Sequence, residues 1–320
     1  VYHRRNYIIQ NYQNNNFMYI CIVILNFMHK AGFVSILGYP NVGKSTLVNT
    51  IIGEQLMPVS PKAQTTRQRV LGIYNDDDTQ IIFSDLPGWI IKPQHELHKS
   101  MLQDIKSAFD DSDILIYLYD LSSNKENKEL LDIFSDLSIP KIITLNKADL
   151  VNEEKILITE NFLKEKFQNI DIIPISALNG YNVDLLIKTI KNYLPIHPPY
   201  YDKDILSDRY LRYFASEIIR EQIYYLYKEE IPYETEVIIN NFKEDQDPVY
   251  IEAEVWVMRE SQKKIIIGKN GEMIKQLGIN ARLKLEKLLD KHVFLQLYVK
   301  VKPNWRNNKN ILKSLGYNVK

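Results

Sequence analysis

Gly38-Tyr39-Pro40-Asn41-Val42-Gly43-Lys44-Ser45 stands directly behind the apolar run Phe33-Val34-Ser35-Ile36-Leu37 and ahead of Thr46-Leu47-Val48-Asn49-Thr50-Ile51-Ile52. The spacing G-x-x-x-x-G-K-S/T is that of a phosphate-binding loop, and the flanks are the ones it requires, a buried strand before and a helix after. Each residue type has its own reason to be there. Gly38 and Gly43 let the backbone turn tightly enough for successive N–H groups to face phosphate oxygens, and the following helix adds the partial positive charge of its N-terminus. Lys44 would neutralise the β- and γ-phosphates, and the Ser45 hydroxyl would ligate Mg²⁺.

Downstream, residues 54–68 are rich in Pro, Ser, Thr and charge and read as a loop carrying Gln64-Thr65-Thr66-Arg67. In nucleotide-dependent switches a threonine here reaches Mg²⁺ only when the γ-phosphate is present, and Thr66 is expected to fill that role rather than Thr65. Two strand-like runs follow, 69–74 and 80–84, joined by Asn75-Asp76-Asp77-Asp78, and the second ends in Asp85-Leu86-Pro87-Gly88. Asp85 is placed to hold Mg²⁺ through water, and Gly88 frees a backbone N–H to sense the γ-phosphate.

The runs Ile114-Leu115-Ile116-Tyr117-Leu118-Tyr119-Asp120 and Lys141-Ile142-Ile143-Thr144-Leu145 are continuously apolar, with a helical stretch at 126–137 between them. Strands buried on both faces with helices between them describe an α/β domain with a mixed, mostly parallel sheet and helices on both faces, whose ligands sit at the carboxyl ends of the strands. Asn146-Lys147-Ala148-Asp149 stands at such an end. A carboxylate at Asp149 accepting from two edge N–H groups of guanine, in a pocket shaped by Asn146 and Lys147, would reject adenine. A last strand, Ile172-Ile173-Pro174-Ile175, leads into Ser176-Ala177-Leu178, a tight loop able to present a backbone N–H to the guanine O6.

The chain of 320 residues is long enough for about two domains. Its 40 basic and 40 acidic residues cancel, so any signal for a nucleic-acid partner has to be local. The one cysteine, Cys21, excludes an internal disulfide framework, and the six histidines show no metal-site spacing. The apolar stretch at 17–27 falls short of the about 20 residues that span a bilayer. With Met28 directly before the first strand, residues 1–27 are expected to be an upstream extension outside the folded protein.

The Pro- and aromatic-rich stretch at 194–201 reads as a stiff linker. Beyond it, a helix at 209–227 and strands at 234–242 and 249–258 precede a helix that reaches Gly268-Lys269-Asn270-Gly271. A second helix at 272–289 and a strand at 293–302 complete the order α-β-β-α-α-β. The charge is segregated: residues 259–320 hold fifteen Lys/Arg against four Asp/Glu, whereas 208–258 is net acidic. The expected division is an extension at 1–27, a first domain at 28–194, a linker at 195–208, a second, smaller α+β domain at 209–303 and a tail at 304–320.

These motifs carry a resemblance. The first domain resembles the translation-factor-like GTPases, and the second, with G-x-x-G between two helices, resembles a type II KH domain, whose loop clamps about four nucleotides of a single strand. Together with Lys62-Ala63-Gln64-Thr65-Thr66-Arg67 and Phe214-Ala215-Ser216-Glu217-Ile218-Ile219-Arg220-Glu221, they make residues 28–317 similar to the bacterial Era family. The resemblance implies a Mg²⁺-dependent GTPase in which Lys44, Thr66 and Gly88 act in hydrolysis. GTP or GDP would lie on residues 38–45 and 85–88, on Asn146, Lys147, Ala148 and Asp149, and on Ser176 and Ala177; Mg²⁺ would be held by Ser45, Thr66 and Asp85. It further implies K⁺ near Asn41, RNA contacts at Gly268, Lys269, Asn270, Gly271 and Lys275, and binding of the 3′ end of small-subunit ribosomal RNA in assembly of the 30S subunit from its precursor. A cytoplasmic monomer with peripheral membrane association is also implied. Leu86 stands where the family usually has threonine, and Trp89 stands where Ras-like members carry the glutamine that orients water, so intrinsic turnover is expected to be slow. An RNA-binding scaffold with a structural nucleotide site and a membrane-docked signalling GTPase remain alternatives at this level.

Overall fold

The computed structural model describes residues 29–123 and 128–319. The expected extension at 1–27 and Met28 lie outside the described residues. The first domain is built on a six-stranded sheet of order β2-β3-β1-β4-β5-β6. Its strands are β1 (Lys30–Leu37), β2 (Val70–Asn75), β3 (Thr79–Asp85), β4 (Ile114–Asp120), β5 (Lys141–Asn146) and β6 (Asp171–Pro174). Only the β2–β3 pair is antiparallel, and every other neighbouring pair is parallel.

Continuous apolar runs become strands covered on both faces. On one face helices α1 (Lys44–Ile52) and α5 (Val183–Tyr193) bring Leu47, Val48, Leu186 and Ile190 onto Val34, Ile36 and Ile116. On the other, α2 (Glu96–Asp110), α3 (Lys128–Asp136) and α4 (Glu153–Lys166) bring Ile105, Leu131, Phe134 and Leu163 onto Leu37, Leu115 and Ile143. The phosphate-loop sequence therefore sits where β1 ends and α1 begins, beside the carboxyl ends of β3, β4 and β5. Leu86 is fully buried in the second of these cores, which is what an apolar side chain can do at a position where the family usually keeps a hydroxyl.

The stretch expected to be a linker is instead laid along the first domain. Ile73 N–H donates to the Leu206 carbonyl at 2.8 Å, Leu71 N–H to Asp208 Oδ1 at 3.0 Å, and buried Gln80 accepts from the N–H groups of Tyr200 and Tyr201 at 2.7 and 3.0 Å. β2 is an edge strand, and this segment occupies the backbone groups that an open edge would leave unpaired.

The second domain runs α6 (Leu211–Leu226), the short α7 (Ile231–Glu234), β7 (Glu236–Lys243), β8 (Val249–Val257), α8 (Glu260–Ile267), α9 (Glu272–Leu289) and β9 (Val293–Val301). Its sheet has the order β7-β8-β9, with β7–β8 antiparallel and β8–β9 parallel. Alternation puts Val249, Ile251, Ala253, Val255 and Val257 of β8 on the inner face, against Ile219, Ile223, Leu277, Ala281 and Leu285.

Residues 304–319 of the expected tail at 304–320 are packed on the folded protein. Trp305 is fully buried, and with Leu312 and Tyr317 it packs on Leu97 and Met101 of α2; α10 (Lys309–Ser314) lies in this segment. Trp305 and Tyr317 are large apolar bodies with one polar tip each. Both tips are satisfied inside, by the Glu234 carbonyl at 3.0 Å and Glu236 Oε2 at 2.5 Å. The tail thus joins the two domains.

Candidate functional site

The phosphate-loop lysine is almost inaccessible. Lys44 Nζ donates to the carbonyls of Gly38 and Tyr39 at 3.2 and 3.0 Å, which holds the loop closed around it. Burial lowers its pKa to about 8, against the opposing pull of Asp85. Beside it, Ser45 Oγ donates to Asp85 Oδ2 at 2.7 Å and lies 3.0 Å from Thr66 Oγ1, which itself donates to Asp85 Oδ2 at 3.2 Å. Two hydroxyls and a carboxylate from three separate segments meet at one point. Asp85 Oδ1 is buried with no partner, and burial raises the carboxyl pKa to about 6. An oxygen-only cluster with an orphaned carboxylate oxygen fits a hard divalent cation such as Mg²⁺. The Thr65 hydroxyl is engaged outside this cluster, 2.6 Å from Ser60 Oγ and donating to the Lys62 carbonyl at 2.9 Å.

Gly88 approaches the phosphate loop so closely that a Cβ there would stand 2.7 Å from Pro40 N. Only glycine lets the end of the β3 segment lie against residues 38–45. The next residue, Trp89, turns inward to pack with Leu37, Ile105 and Leu121, leaving no polar side chain from this position in the cleft. The Asn41 amide donates to the Pro61 carbonyl at 2.7 Å, tying the phosphate loop to the loop that carries Thr66.

At the other end of the cleft Asn146 acts as a brace. Its Nδ2 donates to the Val42 carbonyl at 2.7 Å and its Oδ1 accepts from Ala177 N–H at 2.9 Å, so one buried side chain fixes the phosphate loop against the Ser176 loop. Lys147 adopts a left-handed backbone and pairs with Asp120 at 2.6 Å, an aspartate that the motifs did not single out. The Ser176 and Ala177 N–H groups are both used inside the protein, on Tyr181 O and Asn146 Oδ1, whereas Leu178 is 77 % exposed on the cleft wall. The whole forms a cleft of about 560 Å³ lined by Lys44, Ser45, Thr66, Gly88, Asn146 and Asp149 among others. Ala148 is not among the lining residues; it opens the short turn at Ala148–Leu150 that carries Asp149.

The wall includes a residue that motif reading missed, Tyr225 of α6 in the second domain. The loop between Gly53 and β2 is in fact gripped by that domain. Arg67, 2 % exposed, donates to the carbonyls of Thr235 and Pro232 at 2.7 and 2.9 Å and to Tyr224 Oη at 3.1 Å, pairs with Glu236 at 3.3 Å, and lies 5.9 Å from the ring of Trp305. These partners are more than 150 residues away in sequence, for example 168 for Thr235, so no local pattern points to them.

In the second domain the Gly268 to Gly271 turn projects between α8 and α9. Gly268 (φ 73°) and Gly271 (φ 78°) take left-handed backbone, and Lys269 and Asn270 are exposed. Beside it Lys275 lines an open groove with Ile274, Gly278, Arg282, Leu295 and Leu297. An apolar floor with cationic rims next to a glycine turn is suited to unstacked bases and their phosphates.

Comparison with known proteins agrees with this geometry. The family model described as 50S ribosome-binding GTPase matches residues 33–147, and the KH domain model matches residues 230–306. A variant of Era from Aquifex aeolicus, solved with GDP and AlF4⁻, is 37 % identical and superposes with a TM-score of 0.85 over 91 % of this chain and 100 % of its own. An Era structure in complex with MgGDPNP and nucleotides 1506–1542 of 16S ribosomal RNA is likewise 37 % identical over the same shares, with a TM-score of 0.86. With a phosphate-loop cleft and a KH domain in one chain that matches those structures over 91 % of its length, this protein belongs to the Era family of GTPases.

Proposed function

We propose that the chain is a GTP-hydrolysing switch that binds the 3′ end of small-subunit ribosomal RNA through the turn at Gly268-Lys269-Asn270-Gly271 and acts in assembly of the 30S subunit. The observation that carries the reading is the meeting of Ser45, Thr66 and Asp85 within 2.7 to 3.2 Å, since Thr66 belongs to a loop that the RNA-binding domain grips. Mg²⁺ held by Ser45, Thr66 and Asp85 would supply charge neutralisation at the β- and γ-phosphates. Lys44 trades its two carbonyl partners for phosphate oxygens, and its burial makes that charge count for more than it would in water. Gly88 offers its N–H beside the phosphate loop, and Asp149 with the Leu178 loop selects guanine. Because Trp89 is turned into the core, no side chain at that position orients the attacking water, and intrinsic turnover is slow.

In the switch, GTP draws Thr66 and the segment after Gly88 inward; Arg67 transmits this to the KH domain, and RNA affinity changes with nucleotide state. Equal RNA affinity in the GDP state and the GTP-analogue state, measured by filter binding, would remove the switch. In-cell RNA crosslinking mapped to nucleotide position tests the ribosomal target, with no enrichment at the 3′ end of the small-subunit RNA as the contrary result.

We include K⁺ at Asn41: its side-chain nitrogen donates to the Pro61 carbonyl at 2.7 Å, so the amide oxygen is the atom that would ligate the ion. Turnover that is the same in Na⁺ and K⁺ buffers would eliminate it. We place the protein in the cytoplasm as a monomer with peripheral membrane contact; no described helix is long and apolar enough to cross a membrane. Vesicle flotation and light scattering test these two points.

A further inference from the structure

We propose that Glu221, Tyr225 and Lys284 form a positioning clamp by which the helix that starts at the RNA-binding turn sets the wall of the nucleotide cleft. The inference rests on the switch reading above and names the contact that carries it.

The clamp closes on Val59. Its N–H donates to Glu221 Oε1 at 3.2 Å and its carbonyl accepts from Tyr225 Oη at 3.0 Å. Glu221 and Tyr225 are four residues apart on α6 and so share one helix face, which lets them hold both polar groups of one peptide residue. Val59, Pro58, Ser60 and Tyr225 itself all line the nucleotide cleft. Ser60 continues the path, since its hydroxyl lies 2.6 Å from Thr65 Oγ1, one residue from Thr66. A shift of Val59 therefore moves the neck of the loop that delivers Thr66 to Ser45 and Asp85.

The other end of the clamp is Lys284. Its ammonium donates to Glu221 Oε2 at 2.7 Å and stands 5.7 Å from the Tyr225 ring centroid. Lys284 belongs to α9, whose first residue follows Gly271 directly. A helix is stiff on this length scale, so a tilt imposed where RNA meets Gly268 to Gly271 is felt at Lys284. Glu221 is only 7 % exposed, whereas the Lys284 side chain is 43 % exposed. Glu221 also accepts from the Val59 N–H and from Gln222 Nε2 at 3.3 Å, and water can reach the lysine end of the pair, which makes this contact breakable in a way that the fully enclosed Arg67 is not. Arg67 thus acts as the pivot of the loop, and Val59 as the end that moves.

The test uses the full-length protein and an RNA oligonucleotide with the 3′-end sequence of small-subunit ribosomal RNA. GTP turnover with and without RNA, and RNA affinity with GDP and with a non-hydrolysable GTP analogue, are measured for wild type, Lys284→Ala, Lys284→Arg and Glu221→Gln. In wild type RNA is expected to change kcat severalfold. Lys284→Ala is expected to bring that change to within twofold of unity while leaving basal kcat, KM for GTP and RNA affinity in the GDP state unchanged, and Lys284→Arg is expected to restore it. The double variant Lys284→Ala/Glu221→Gln, measured alongside, should be no worse than either single one, because both remove the same contact. Wild-type coupling in Lys284→Ala overturns the clamp and leaves the switch standing. Equal loss of RNA affinity in both nucleotide states makes Lys284 an RNA contact and also overturns it. Absence of any RNA effect in wild type overturns the switch reading and the clamp together.

Discussion

Asp85 and Asn146 in the nucleotide cleft are buried and already bonded to the segments that must meet there, whereas Lys269 and Asn270 at the RNA turn stand in solvent. The first site is assembled by long-range hydrogen bonds before a ligand arrives, so its selectivity is geometric. The second offers positive-φ glycines and an exposed lysine, a surface on which the charge of a nucleic-acid ligand would do most of the work. The two should therefore fail in different ways. Damage at the cleft should remove a specific chemical capacity, and damage at the turn should weaken binding by degrees.

The sharpest contrast is Lys44→Ala. It deletes a buried charge aimed at the phosphates, and GTP turnover should fall by about 10²- to 10³-fold, the usual cost of removing one preorganised donor. RNA affinity in the GDP state should be unchanged, and a parallel loss of both in steady-state kinetics and filter binding would break the contrast. Asp149→Ala follows. Losing hydrogen bonds from the base to a charged acceptor should weaken GTP binding by about 10²-fold or more. Competition titrations should then show GTP and ATP binding equally poorly.

At the turn the two glycines separate local strain from RNA contact. A Cβ on Gly268 would meet Met273 Cγ at 2.6 Å and Met273 N at 3.0 Å, while one on Gly271 would enter open space. Gly268→Ala should cost about 1–3 kcal/mol of stability and the larger part of RNA binding, and Gly271→Ala about 1 kcal/mol with a smaller RNA defect. Thermal melts and filter binding of both variants check the order, and GTP turnover without RNA should be the same in each. Lys269→Glu should lower RNA affinity by about tenfold and reduce the slope of log affinity against log salt by about one or more.

The same contrast explains what could be read from the chain. Gly38 to Ser45, Asp85 to Gly88 and Asn146 to Asp149 are contiguous motifs at strand ends, so their place in the cleft followed once the apolar runs were recognised as parallel strands. The Gly268 to Gly271 turn was legible for the same reason. Arg67 stood beside Thr66 in plain view, but its partners lie at Pro232, Thr235 and Glu236, and nothing local distinguishes a buried arginine from a surface one. How residues 195–208, read as a stiff linker, and the expected tail at 304–320 pack was not legible, because proline and charge look alike in a linker and in a segment that covers a strand edge or wedges between domains. Trp305 and Tyr317 were the signal available, since two large aromatics in a basic tail need somewhere to be buried. Tyr225, Glu221 and Lys284 could not be found without the packing of α6 and α9 on the first domain.

The smallest effect is expected at the seam between the two regions, where α2 begins. His95 Nδ1 accepts from His98 N–H at 3.3 Å, and His98 Nδ1 accepts from Gln94 N–H at 3.2 Å. Both imidazoles must be unprotonated at Nδ1 to do this, and they stand 3.7 Å apart between ring centroids, near Arg306 and Arg67. Burial first, then the neighbouring positive charges, lowers their pKa values to about 3 and about 4. A histidine whose folded pKa is depressed takes up its proton more readily in the unfolded chain. Its contribution is therefore fully present above the ordinary value near 6.5 and is lost as pH falls toward about 4. Melting temperature should drop by several degrees between pH 6.5 and pH 4.5, which is roughly the shift expected from one to two kcal/mol in a chain this size. In His98→Gln, which keeps a neutral acceptor and cannot be protonated, that acid slope should flatten. An unchanged slope would place the acid sensitivity elsewhere and detach the α2 start from the stability of the interdomain seam, whereas a flattened one would show that the nucleotide domain and the tail of the RNA-binding domain share one titrating joint.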